Sequence, residues 1–173
     1  MFCSVPVGST VVTGASKGIG AATVERLGRA GASVVAHYGS DREGAEAATR
    51  NIDPGRKRLI AADFSDLDSV EVLWEEAEHW HGRIDVFVNN AAVMLFEGGP
   101  DAGLDAWDRI WNQTLTVNVL AAARLLRRAV RHYLAAGGGS IVTISSWAAQ
   151  KGVTNPGNIA YGASKAAVHN LTQ

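Results

Sequence analysis

A single cysteine, Cys3, stands among the 173 residues, so no internal disulfide can form and the small secreted scaffolds built on such bridges are excluded. No Cys/His cluster has zinc-ligand spacing, which removes a structural metal site. Surplus charge is also lacking: 16 Lys+Arg against 17 Asp+Glu leave a formal net charge of −1. A chain so balanced carries no broad footprint for nucleic acid or an anionic membrane. No stretch approaches the ~20 apolar residues that span a bilayer, and the opening MFCSVPVGSTVVTGAS lacks a basic segment followed by a long apolar run. These absences lead us to expect a soluble cytoplasmic protein in a reducing compartment, with a small molecule as partner.

What is present is alternation. Short β-branched runs at Thr10–Thr13, Ser33–Tyr38, Arg58–Ala61, Val86–Asn89 and Ser140–Ile144 take turns with segments of helical period. The helices are expected at about Gly18–Ala30, Asp41–Asn51, Asp66–Trp80 and Asp105–Ala136, with a fifth beginning near Ile159. Asp41 and Asp66 suit N-caps, Gly31 suits the end of the first helix, and AAGGGS at Ala135–Ser140 breaks the fourth. No linker, repeat or low-complexity tract interrupts the pattern, so residues 1–173 are read as one α/β domain with a doubly wound parallel sheet. Ligands are expected beyond the carboxyl ends of its strands.

TGASKGIG, Thr13–Gly20, follows the first strand and opens the first helix. Gly14, Gly18 and Gly20 leave room for backbone N–H groups to approach a pyrophosphate, at a helix N-terminus whose dipole favours anions. The alternative is a strand-to-helix turn that merely needs glycine. A P-loop is excluded, because Lys17 precedes Gly18 and Ile19 follows it, where Gly-Lys-Ser/Thr is required.

After the second strand, dinucleotide sites often carry an acid that holds the ribose hydroxyls and repels a 2′-phosphate. Here Tyr38 takes that place, with Lys17 in the glycine turn and Arg42 just beyond the strand. NADP(H) is therefore favoured over NAD(H), unless the two cations are ordinary solvated charges. Asp63 after the third strand and Asn89 and Asn90 after the fourth fall on the ligand side, or else serve as caps and loop stabilisers.

Tyr161 and Lys165 are i and i+4, which puts them on one helix face. A free phenol, with a pKa of about 10, is a poor base near neutrality, and a nearby ammonium favours its charged form. Ser145 and Ser146 end the fifth strand on the same side. TISSW makes no G-x-S-x-G elbow and no acid-His pair accompanies it, so Ser146 is read as a hydrogen-bond donor to a substrate oxygen, not as a nucleophile. Asn118 is polar in an apolar helical stretch, which marks either a site residue or a buried helix-helix hydrogen bond.

Taken together, Thr13–Gly20, Asp63, Asn89-Asn90-Ala91, Asn118, Ser145-Ser146 and Tyr161-x-x-x-Lys165 resemble the classical short-chain dehydrogenase/reductase (SDR) family, from Thr10 to Gln173. The resemblance implies a Rossmann-type doubly wound sheet with helices on both faces, and an NAD(P)(H)-dependent oxidoreductase that interconverts a carbonyl and an alcohol. It implies that Tyr161 exchanges a proton with the substrate oxygen and that Ser146 steadies it. Lys165 assists Tyr161 and holds the nicotinamide ribose, and Asn118 anchors a proton path. Cofactor contacts fall on Gly14, Ser16, Lys17, Gly18, Ile19 and Gly20, on Tyr38 and Arg42, and on Asp63 with Phe64 at the adenine. Asn90, Ala91, Tyr161 and Lys165 complete them; no metal is implied. Ala92 stands where the family usually has glycine, and Trp147–Ala160 is longer than usual, which leaves Ser145 as an alternative to Ser146.

Family members also continue past the position of Gln173 into further strands, a substrate loop and a final helix. The fold is thus expected to be incomplete at the C-terminal end, with an uncovered edge at the fifth strand and association, such as a homo-oligomer, in compensation. Two classes follow: an active carbonyl reductase or alcohol dehydrogenase, and a catalytically impaired dinucleotide-binding fragment or interaction module.

Overall fold

A computed structural model describes residues 8–173; Cys3 lies outside the described residues. The short β-branched runs form five strands, β1 (Ser9–Val12), β2 (Ser33–Tyr38), β3 (Lys57–Ala61), β4 (Val86–Asn89) and β5 (Ser140–Thr143). All pair in parallel, in the order β3-β2-β1-β4-β5. The chain steps outward from β1 to β3 and then returns to the centre, so the order reverses between β1 and β4. In a doubly wound sheet a crevice opens at that reversal, beyond the strand ends.

Alternate strand residues feed two separate cores, because successive side chains leave a strand on opposite faces. On one face Val11, Val35, Ile60 and Phe87 pack against α3 (Leu67–His81) and α5 (Ala121–Ala136), chiefly through Leu73, Trp74, Leu125 and Ala129. On the other, Val12, Val34, Ala36 and Val88 meet Val24 of α1 (Gly18–Arg29) and Ala48 of α2 (Arg42–Thr49). Both faces of the central strands are therefore dry, as the near-continuous apolar runs require.

Local chemistry sets the helix ends. The Asp41 carboxylate accepts from the Gly44 N–H at 2.9 Å and that of Asp66 from the Asp68 N–H at 3.0 Å, each satisfying one of the free donors of a first turn. Gly137, at φ +81°, closes α5 in the left-handed conformation.

Two segments differ from the expectations. The helix expected over Asp105–Ala136 is α4 (Leu104–Leu115) and α5 joined by a π-helical turn at Thr116–Leu120. One residue added to one turn leaves no mark in a five-residue apolar stretch, so periodicity could not reveal it. A short helix, α6 (Ala148–Lys151), also forms within SWAAQK before α7 (Ile159–Leu171). β5 pairs with β4 alone, and its Val142 is 47% exposed, so this end of the sheet is open as expected. No helix among the described residues is long and apolar enough to cross a membrane.

Trp74 is the largest fully buried side chain and meets Phe87 edge-on at 5.6 Å. Trp74→Ala is expected to cost about 3–5 kcal/mol, read as a lower urea midpoint in equilibrium unfolding.

Candidate active site

The carboxyl ends of β1, β2, β3, β4 and β5 open on one cleft of about 700 Å³, lined by parts of the glycine turn, the loops after β2, β3 and β4, the end of β5, and α7. The structure brings together at its wall Gly14, Ser16, Lys17 and Ile19 from the turn, Asp63 and Phe64, Asn90 and Ala91, and Ser145, Ser146, Tyr161 and Lys165.

The turn is held from three sides. Gly14 is left-handed at φ +66°, and its N–H donates to His37 Nδ1 at 3.1 Å. Asn90 Nδ2 donates to the carbonyls of Thr13 and Gly14 at 2.8 and 3.1 Å, while the Thr13 hydroxyl accepts from the N–H groups of Asn90 and Ala91 at 2.9 and 3.0 Å. A Cβ at Gly20 would run into the Gly14 carbonyl, which brings the entrance of α1 against the turn as only glycine allows. Gly18, at φ +57°, and Gly20 thus shape the turn without forming the cleft wall themselves. No side chain caps α1 and no acid lies in its first turn, so its free N–H groups and positive dipole end face the cleft unneutralised. Those features fit an anionic group such as a pyrophosphate.

His37 is the feature that the sequence reading missed. It is 3% exposed and stacks on Phe64 at 4.3 Å with 5° between the rings. Its Nε2 lies 3.0 Å from the Ala62 carbonyl oxygen. A carbonyl only accepts, so Nε2 carries the proton and Nδ1 is free to accept from Gly14. Burial lowers the imidazole pKa to about 4, against the raising effect of the Ala62 bond. The signal was present as a polar residue near the end of an apolar strand, but its direction was not.

Tyr38 and Arg42 are placed otherwise than expected. Neither lines the cleft: Tyr38 is buried, and the Arg42 guanidinium lies on the surface of α2, where it donates to Glu46 at 2.8 Å. Side chains alternate along β2, and it is His37 that faces the turn. Gly39, Ser40 and Asp41 form the cleft wall beyond it, with the Ser16 hydroxyl donating to the Asp41 carbonyl at 2.6 Å. The Asp63 carboxyl is held below its usual range by the N–H of Ser65.

At the other end, Lys165 is buried, and burial pushes its ammonium below the usual lysine value. Its Nζ donates to the Ile144 carbonyl at 2.7 Å and lies 5.9 Å from the centroid of the Tyr161 ring. Ser146 Oγ accepts from the Ala148 N–H at 3.1 Å, which leaves its own proton free to donate. Ser145 Oγ is buried and unpartnered.

Asn118 does not reach the cleft wall. It is 2% exposed, and its amide is fully used: Oδ1 accepts from the Val93 N–H at 2.8 Å, and Nδ2 donates to the Val93 carbonyl and to Ser164 Oγ, both at 2.9 Å. The Ser164 hydroxyl donates onward to the Tyr161 carbonyl at 2.7 Å. The π turn thus ties the loop after β4 to the helix that bears Tyr161 and Lys165.

Comparison with known proteins identifies the family. The family model for short chain dehydrogenase matches residues 9–173, and the chain belongs to that family. It is 39% identical to the cis-4-hydroxycyclohexanecarboxylate dehydrogenase of Sinomonas cyclohexanicum, over 94% of this chain and 64% of that one. It is 35% identical to the 3beta-hydroxysteroid dehydrogenase 1 of Eggerthella lenta, over 95% of this chain and 62% of that one. The chain therefore spans a little over three fifths of the length of these curated relatives, 62% and 64%. Among solved structures, a metagenomic short-chain oxidoreductase in complex with NADP superimposes with a TM-score of 0.82 at 37% identity, covering 98% of this chain and 75% of that one.

The neutral, buried His37 makes stability depend on pH in a defined direction. Unfolded, a histidine takes up a proton below pH 6.5, whereas the folded ring resists until about pH 4. Folding is therefore supported fully above pH 6.5 and loses about 3 kcal/mol of this contribution as pH falls to 4. Urea unfolding of the wild type and of His37→Asn at matched pH values is expected to show this extra loss in the wild type alone.

Proposed function

We propose that the chain forms the dinucleotide-binding part of an NAD(P)(H)-dependent oxidoreductase that interconverts a carbonyl and an alcohol. The observation that carries this reading is the convergence of Tyr161, Lys165, Ser145 and Ser146 on the cleft that also receives the glycine turn. When bound, the nicotinamide supplies the hydride in reduction and accepts it in oxidation.

The chain's own residues have the remaining tasks. The Tyr161 phenol gives its proton to the substrate oxygen in reduction and takes one back in oxidation. The Ser146 hydroxyl, whose proton meets no acceptor among the described residues, hydrogen-bonds that oxygen as its charge changes. Ser145, with a buried and unpartnered oxygen, is the second candidate for this role. Lys165 serves as the charge partner of the phenol and as a donor to the nicotinamide ribose. Asn118 is assigned a positioning role, since every polar atom of its side chain is already bonded to Val93 or Ser164. Asp63 and Phe64 fall to the adenine end, and Asn90 and Ala91 to the middle of the cofactor.

NADP(H) is favoured over NAD(H). Support comes from Lys17 and Ser40 at the cleft wall, where Arg42 adds nothing, and from the NADP-bound relative. An acid, Asp41, also lines this part, but its carboxylate is turned to the α2 N-terminus through Gly44. The substrate is read as a cyclic alcohol or ketone, because the relatives include dehydrogenases of a hydroxysteroid and of a hydroxycyclohexanecarboxylate. Exposed Leu104, Leu120, Val130 and Leu134 on the helices from α4 through α5 support a homo-oligomer.

Titration with NADPH and NADH, each followed with and without simple cyclic ketones, tests the reading. Binding with turnover is expected for an active enzyme, and binding without turnover would favour the impaired dinucleotide-binding fragment. Failure to bind either nucleotide would sink both. In the active protein Tyr161→Phe should lower kcat by at least about 100-fold, the scale of general acid-base catalysis. Lys165→Met should be nearly as damaging and should also raise the cofactor Kd; wild-type turnover in Tyr161→Phe would overturn the proton-transfer assignment.

A further inference from the structure

His37 is buried and titratable, and the reaction assigned above does not use it. Its ring touches all three strand ends on one side of the cleft: it belongs to β2, accepts from Gly14 after β1, and donates to Ala62 after β3, while its face covers Phe64. Both ring nitrogens are committed within the protein, so His37 has no proton to offer a ligand. What it controls is the N–H of Gly14. That bond fixes the left-handed residue from which Ser16, Lys17 and the unoccupied N–H groups of α1 follow.

We propose that His37 is the positioning residue for the adenosine-phosphate half of the cleft, acting through its Nδ1 acceptor on the Gly14 N–H. This rests on the dinucleotide reading and adds to it a residue that has no contact with the reacting atoms. Two nitrogens with opposite roles allow the claim to be dissected. Asparagine can present its side-chain oxygen near the position of Nδ1, which keeps the acceptor for Gly14 and gives up the bond to Ala62. Glutamine reaches the position of Nε2, which keeps the donor to Ala62 and gives up Gly14. Both lose the stack on Phe64. A residue that merely filled space would make the two variants equivalent, or would favour glutamine as the larger.

The probes are AMP and adenosine 2′,5′-bisphosphate, titrated calorimetrically into the wild type, His37→Asn and His37→Gln, with no turnover required. The Gln variant is expected to bind about tenfold more weakly, the scale of one lost hydrogen bond, while the Asn variant stays within about threefold of the wild type. Equal weakening in both variants, or none in either, would overturn the proposal while leaving the dinucleotide reading intact. Absence of binding of both probes to the wild type would overturn that reading and this proposal with it. If a variant fails to melt cooperatively, hydrogen exchange in the wild type decides: protection of the Gly14 amide in the free protein is expected, and exchange at the rate of an open loop refutes the bond.

Discussion

Everything at the ligand end of this sheet depends on how closely the first turn of the chain can approach the strands on either side of it. Gly14 takes a backbone conformation that a side chain would resist, and Gly20 must lack a Cβ because the Gly14 carbonyl occupies that space. Such a turn exposes polar backbone in a crowded place, and each of its groups needs a partner. His37 from one side and Asn90 from the other supply them, and Thr13 returns the favour by accepting two N–H groups of the loop after β4. The result is a fixed row of donors at the start of α1 with no side chain of its own to neutralise them. Everything in the turn is satisfied except the last few N–H groups, which suits them to an anion.

The same polar accounting operates at the far end, with a different device. An asparagine in the middle of a buried helix is costly unless its amide is fully paired. The π turn is where Asn118 meets that condition, with Val93 on one side and Ser164 on the other. Because Ser164 belongs to α7, that helix is referred back to the loop after β4 through the three hydrogen bonds of the Asn118 amide. Tyr161 and Lys165 are therefore placed through Asn118 and Ser164, which do not line the cleft, and through Val93, which does.

Much of this could be read in advance. The alternation of β-branched runs with helical segments gave β2 and β4 their bounds and the sheet its winding, since both faces of the central strands had to be apolar. The Tyr-Lys spacing and the capping aspartates act over one helical turn, and local rules govern that distance. The remainder was hidden because it is decided by partners far along the chain. Whether His37 or Tyr38 faces the glycine turn depends on the phase of one strand against another, and a shift of one residue exchanges them. Arg42 lies one helix turn from Glu46, and that local pair holds its guanidinium on α2. The amide of Asn118 finds partners 25 and 46 residues away in sequence, beyond what its own helix can indicate.

The two ends of the cleft are not equally built. At the β1–β3 end the side chain that fixes the turn is buried, doubly hydrogen-bonded and stacked, and the strands beneath it are covered on both faces. At the β5 end, among the described residues, β5 pairs with β4 alone, Val142 is half exposed, and Ser145 keeps a buried oxygen without a partner. Under the proposed reading, the phosphate and adenosine contacts fall at the first end and the proton-transfer groups, Tyr161, Ser145 and Ser146, at the second. The two sets of hydrogen bonds meet in the loop after β4, where Asn90 and Ala91 bond to the glycine turn and Val93 bonds to Asn118. The polar groups of the glycine turn are thus satisfied within the fold, while among the described residues Ser145 keeps an unpartnered oxygen beside Ser146 at the same cleft.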